Sequence, residues 1–139
     1  MSTSSGTIAI PPDYRRVSAE IANVLDNEPS WEFNIIELER ITDHHPLSRL
    51  GAKIFDRWNV NETLNCSPET INKWLLVVEA NYQAGNAYHN ATHAADVLQA
   101  TSYFLGSEQV GQYVQDQHAM VCLIFQLERL ELHKYIINE

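Results

Sequence analysis

Cysteine is scarce in this sequence: Cys66 and Cys122 are the two in 139 residues, and they form no CxxC pair. That excludes a disulfide-framed scaffold. The expectation is two buried, reduced thiols in a cytoplasmic protein. Positive charge is equally short. Nine Lys and Arg against 18 Asp and Glu leave a formal charge of −9. Such a chain repels phosphate backbones and anionic headgroups, which excludes a general affinity for nucleic acid or for an anionic membrane surface. An anionic small molecule stays open, because a bound metal or a local cationic pocket reverses the field at one place. No apolar run approaches the length of a membrane span. The opening Met1-Ser2-Thr3-Ser4-Ser5-Gly6 lacks the basic and apolar regions of a signal peptide. Residues 1–10 read as a disordered tail.

What is present is ordinary globular composition, 45% hydrophobic and 19% charged, in a length suited to one domain with a core of its own. The apolar residues recur at helical spacing throughout. Val17, Ile21, Val24 and Leu25 form a first stripe, closed by Asn27-Glu28-Pro29. Trp31, Phe33, Ile35, Ile36 and Leu38 read as an aromatic anchor leading into a short second helix. After His44-His45-Pro46, a third stripe runs through Leu47, Leu50, Ile54, Phe55 and Trp58, and Asn59-Val60-Asn61 reads as a loop. Ser67-Pro68-Glu69 is a strong helix start, with a capping hydroxyl, Pro in the first turn and an acid at the positive end of the dipole. Trp74, Leu75, Val78 and Tyr82 follow it on one face. Gly85-Asn86 reads as a turn, and a further helix is predicted from about Asn90 to Leu105, stopped by Gly106. Ser107 is expected to cap a short turn through Val114, and Asp116 to cap a last helix carrying Met120, Leu123, Ile124, Leu127 and Leu130. No alternating β-branched segment and no internal repeat appears. The fold class is all-α.

The chemistry-bearing pattern is His89 and His93, four residues apart, with Asp96 three further on. On a helix this spacing projects both imidazoles from one face, as in the HExxH zinc helix. No Glu follows His89, so the protease reading fails. A second arrangement has one imidazole coordinating a metal and the other moving protons, with Asp96 orienting an imidazole or reaching the metal through water. Histidines at this spacing commonly do no more than pack or cap.

The wider string Tyr88-His89-Asn90-Ala91-Thr92-His93-Ala94-Ala95-Asp96-Val97 resembles a signature of the class I cyclic-nucleotide phosphodiesterases. The likeness extends upstream through Trp74, Glu79-Ala80-Asn81-Tyr82 and Asn86. Downstream it takes in Leu98, Ala100-Thr101 and Tyr103-Phe104-Leu105, and Trp31 to Glu39 is similar to the family's N-terminal helices. The wording is nearest the cAMP-specific type 8 branch. The resemblance implies that residues 11–124 are the N-terminal helical part of a phosphodiesterase catalytic domain. It implies hydrolysis of a 3′,5′-cyclic nucleotide, cAMP foremost, with Zn²⁺ and Mg²⁺ as cofactors in signal transduction. His89 then matches the general acid that protonates the departing ribose 3′ oxygen, and His93 the first protein ligand of the tightly held metal. Tyr88 matches a tyrosine lining the nucleotide pocket; Asn90 and Asp96 match supporting residues. The chemistry is coherent, since a cyclic phosphodiester needs an activated nucleophile, charge neutralisation and an acid for the leaving alkoxide.

The family's later His-Asp pair has no counterpart. Aligning Val121-Cys122-Leu123-Ile124 with the apolar run before that pair puts Arg129 and Leu130 in its place, and neither ligates zinc. His118 and His133, or more distantly His44 and His45, would have to substitute. His118 reads as a surface residue near a helix start, and His133 as a helix-end residue. Residues 125–139 accordingly read as a divergent helical tail on a truncated domain. This chain is expected to be inactive by itself, and to self-associate through apolar helix faces left uncovered. The alternatives are a non-catalytic helical interaction module or an incomplete gene model.

Overall fold

The computed structural model describes residues 18–82, 87 and 90–137, with 129–137 in backbone only. Among these residues the fold is all helical, with no strand. Ser18 caps helix α1 (Ala19–Leu25) by accepting the Ile21 N–H, and Asn34 caps α2 (Ile35–Ile41) by accepting that of Glu37. Both follow the side-chain capping rule, which satisfies a donor that the first turn leaves orphaned. Pro46 opens α3 (Pro46–Arg57), where a missing N–H costs nothing. Of its predicted stripe, Leu47, Leu50 and Ile54 are inaccessible and Phe55 nearly so, while Trp58 lies at the C-terminal cap and is half-buried. Each fully buried side chain contributes about 1.5–3 kcal/mol.

Around α3 pack α5 (Pro68–Asn81) and α6 (Ala91–Leu105), and α6 in turn carries α8 (Asp116–Ile137). Ser67 accepts the Thr70 N–H at the start of α5, as its sequence predicts. The small residues Ala94 and Ala95, followed by Leu98 and Leu105, let α6 sit close against both neighbours. Ala119, Leu123 and Leu127 of α8 close the core.

Several expectations are corrected. Val60 does not lie in a loop: it is fully buried at the head of a short helix, α4 (Val60–Thr63), entered through Asn59 at φ 51°. Asn tolerates that left-handed conformation. Asp116 is the first residue of α8 instead of its cap, and its carboxylate accepts from Asn59 Nδ2 at 3.0 Å. Ser107 precedes the short α7 (Glu108–Gly111) without capping it, its hydroxyl donating back to Phe104 O. Cys66 is half-buried and Cys122 exposed, so neither thiol is buried in the core as expected. Trp31 is exposed, edging onto Tyr103 and Phe104 with ring centroids 5.2 and 5.7 Å away. Helix α8 crosses the 124/125 boundary without a break. The tail at 1–10, Val17 and the Gly85-Asn86 turn lie outside the described residues.

Two buried carboxylates tie the elements together. Glu28, 1% exposed, accepts from Arg57 Nη1 at 3.1 and 3.2 Å and from Ser102 Oγ at 2.9 Å, while Trp58 Nε1 donates to the same hydroxyl at 2.9 Å. Gln99 Nε2 donates to the Glu28 and Ser30 carbonyls at 2.8 and 2.9 Å. Glu79 of α5 accepts the Ser48 N–H and Oγ–H, both at 2.8 Å, and lies 2.9 Å from His45 Nδ1. His45 occupies the α3 cap position without capping it by its own side chain, so Glu79 completes that helix start from another helix.

Candidate active site at the start of helix α6

Asn90 sits at φ −121° and ψ 174°, just ahead of α6, and its Oδ1 accepts the His93 N–H at 2.9 Å. The side chain that the sequence marks as supporting therefore acts on the backbone of the candidate ligand itself. One turn later comes Asp96. At 100° per residue the buried stripe of α6 (Ala94, Ala95, Leu98, Gln99, Ser102, Leu105) faces α3 and α8. His93 and Asp96 fall on the opposite side, His93 half-buried and Asp96 exposed. The core thus uses one face of α6 and leaves the chemistry-bearing face outward.

That face borders an open cleft of about 310 Å³, in which Ile35, Ile36 and Glu39 of α2 look across at Thr92, His93 and Asp96 of α6. Glu39 is also 3.3 Å, through Oε1, from His44 Nδ1. Of the sequence-marked residues, the structure brings Asn90, His93 and Asp96 to this cleft. Tyr88 and His89 lie outside the described residues. His118 is exposed at the start of α8, as read, and accepts the Gln115 N–H at Nδ1. Glu39 received no role from the sequence, although its spacing from Ile35 and Ile36 places all three on one face of α2.

A resident zinc needs three or four converging donors. Among the described residues no group of three His, Cys, Asp or Glu side chains stands close enough to hold a metal ion. The described donors of the cleft do not by themselves fit one.

A helical scaffold presenting this His and Asp constellation on an outward face carries the sequence of a known class. Residues 88–127 match the family described as 3′5′-cyclic nucleotide phosphodiesterase, and the chain belongs to that family. More particularly, it is 53% identical over 112 residues to the probable 3′,5′-cyclic phosphodiesterase pde-6 of Caenorhabditis elegans, covering 81% of this chain and 15% of that protein. It is 42% identical over 120 residues to the human high affinity cAMP-specific and IBMX-insensitive 3′,5′-cyclic phosphodiesterase 8A, covering 86% and 14%. The Drosophila melanogaster protein of the same description, numbered 8, is 47% identical over 103 residues, covering 74% and 11%. The chain therefore spans no more than 15% of the length of these relatives. Among the described residues no helix is long and apolar enough to cross a membrane.

Proposed function

We propose that this chain is part of a cytoplasmic phosphodiesterase that hydrolyses a 3′,5′-cyclic nucleotide, cAMP foremost, to the 5′-monophosphate. The observation that carries the reading is the outward face of α6, where His93, pinned at its backbone by Asn90, stands one turn from Asp96 within the family-matched segment. The preference for cAMP rests on the names of the human and Drosophila relatives. In this reading His89 donates a proton to the leaving ribose 3′ oxygen, a task suited to an imidazole near neutral pH. Tyr88 lines the nucleotide pocket, His93 is one ligand of a metal centre, and Asp96 supports it. Zn²⁺ and Mg²⁺ are the ions the family implies, and residues beyond the described cleft donors are needed to hold them.

It follows that the 139 residues do not turn over cAMP by themselves. The test is release of 5′-AMP from cAMP with both ions present, alongside zinc analysis of the purified chain. No turnover and well under one zinc per chain are expected. Turnover that disappears in His89→Ala and His93→Ala variants would overturn the inactivity, and stoichiometric zinc would overturn the incompleteness of the donor set. In a longer phosphodiesterase polypeptide containing this segment, the same two substitutions abolish hydrolysis if the roles are right. A second reading, a non-catalytic module that self-associates, is favoured by the exposure of Val121 and Phe125 on α8.

A further inference from the structure

We infer that the outer face of α8 is a self-association surface on which a second copy of this chain docks as an antiparallel helix pair centred on Leu123. The inference rests on the self-association reading above and gives it a geometry. Helix α8 is apolar on two opposite sides. One side buries Ala119, Leu123 and Leu127. Diametrically opposite, at 100° per residue, lie His118, Val121, Phe125 and Glu128, all exposed, with Val121 at 60% and Phe125 at 56%. Their spacing of three, four and three residues is that of alternating a and d positions in a heptad, a seam for another helix and not a solvated face.

The residues of the seam select the occupant and its direction. Val121 and Phe125 are equidistant from Leu123, as are His118 and Glu128. An antiparallel pairing about that point sets the smaller Val121 against the larger Phe125 of the second copy, and His118 against its Glu128. A parallel pairing would set Glu128 against its own copy, and like charges repel. The His118 tautomer fits the antiparallel arrangement. Its Nδ1 accepts the Gln115 N–H at 3.2 Å, so in the neutral ring the proton sits on Nε2, which is then a donor for a carboxylate. Cys122, exposed and reduced, is at the flanking e position. Antiparallel pairs bring e beside e, so the two Cys122 thiols lie on one side of the seam, about 3 Å apart along the axis. From His118 to Glu128 the seam is about 15 Å long, which places the association at the weak end of specific interfaces.

The test is sedimentation equilibrium of the whole chain over about 1–100 µM, a range suited to micromolar association, together with crosslinking by a short bismaleimide in a Cys66→Ala background. A concentration-dependent dimer and efficient coupling through Cys122 are expected. Phe125→Glu should abolish both with the far-UV helix signal unchanged, because Phe125 is outside the core. His118→Glu and Glu128→Arg should each weaken dimerisation by about tenfold or more, and the double variant should restore it. Glu at 118 can still cap, reaching back to the Gln115 N–H as in a capping box. A chain that stays monomeric throughout overturns the proposal, as does crosslinking indifferent to Phe125→Glu or a charge swap without rescue. Protection of the Val121–Phe125 face only on adding a longer phosphodiesterase polypeptide would assign the seam to that chain instead of a second copy.

Discussion

Removing the Arg57 side chain tests the reading of the Glu28 cluster as an interdependent lock. Glu28 is 1% exposed, and beyond Arg57 its carboxylate accepts only the Ser102 hydroxyl among the contacts described above. Arg57→Ala therefore strands a charge away from water, a change that costs about 3–5 kcal/mol where both partners are fully buried. Arg57 is 32% exposed at its side chain, so solvent already screens part of the pair and about 2–3 kcal/mol is the better expectation. A domain with an ordinary stability of about 5–15 kcal/mol survives that loss but melts measurably earlier in urea. The diagnostic variant is the double substitution Glu28→Gln with Arg57→Ala. A neutral amide keeps an acceptor for Ser102 and removes the stranded charge, so the double variant should be more stable than Arg57→Ala alone by about 1–2 kcal/mol. Urea midpoints by circular dichroism read both effects. If Arg57→Ala lies within about 0.5 kcal/mol of the unmodified chain, or if the double variant is no better than the single one, the lock is not what the geometry says.

Three further outcomes are expected. Asn90→Ala should destabilise the start of α6 by about 1 kcal/mol and Asn90→Asp should not, read by amide exchange at His93. Gly51→Ala should lose about 1 kcal/mol in urea despite the better helix propensity of Ala, because the added methyl would stand 2.8 Å from Leu75 Cδ2, and Leu75 is fully buried. Hydrogen bonding and charge from Arg40 hold the Glu37 carboxyl below its usual range. Since the folded value is depressed, the pair's small contribution is present above the unfolded carboxylate range and is lost as pH falls through the folded value. Arg40→Ala should move the NMR titration of Glu37 upward, and an unmoved midpoint would refute the assignment.

The helices that could be read from sequence are those with a capping residue followed by a stripe. Ser67-Pro68-Glu69 gives α5, Asn90 with Gly106 brackets α6, and Leu47 to Phe55 marks α3. Val60 eluded the reading because two asparagines flank it, and a one-turn helix is too short to show periodicity. Glu28 and Glu79 eluded it for a different reason. A carboxylate in sequence looks solvated, and only the partners brought from 29 and 31 residues away make it a core residue. At the site, the motif located His93 and Asp96, whereas the facing wall of Glu39, Ile35 and Ile36 comes from the packing of α2 on α6.

The carboxylate of Glu79 has a consequence for how this chain opens. The first turn of α3 borrows its acceptor from α5, so the Ser48 amide cannot be counted as a frayed helix end. Its exchange with solvent reports the parting of two helices, a larger and rarer event than the loosening of one. Cutting the backbone in the Leu64–Ser67 connection would leave every residue of α3 in place, yet make its beginning depend on a separate molecule. The start of α3 is in this sense a joint held shut from the far side.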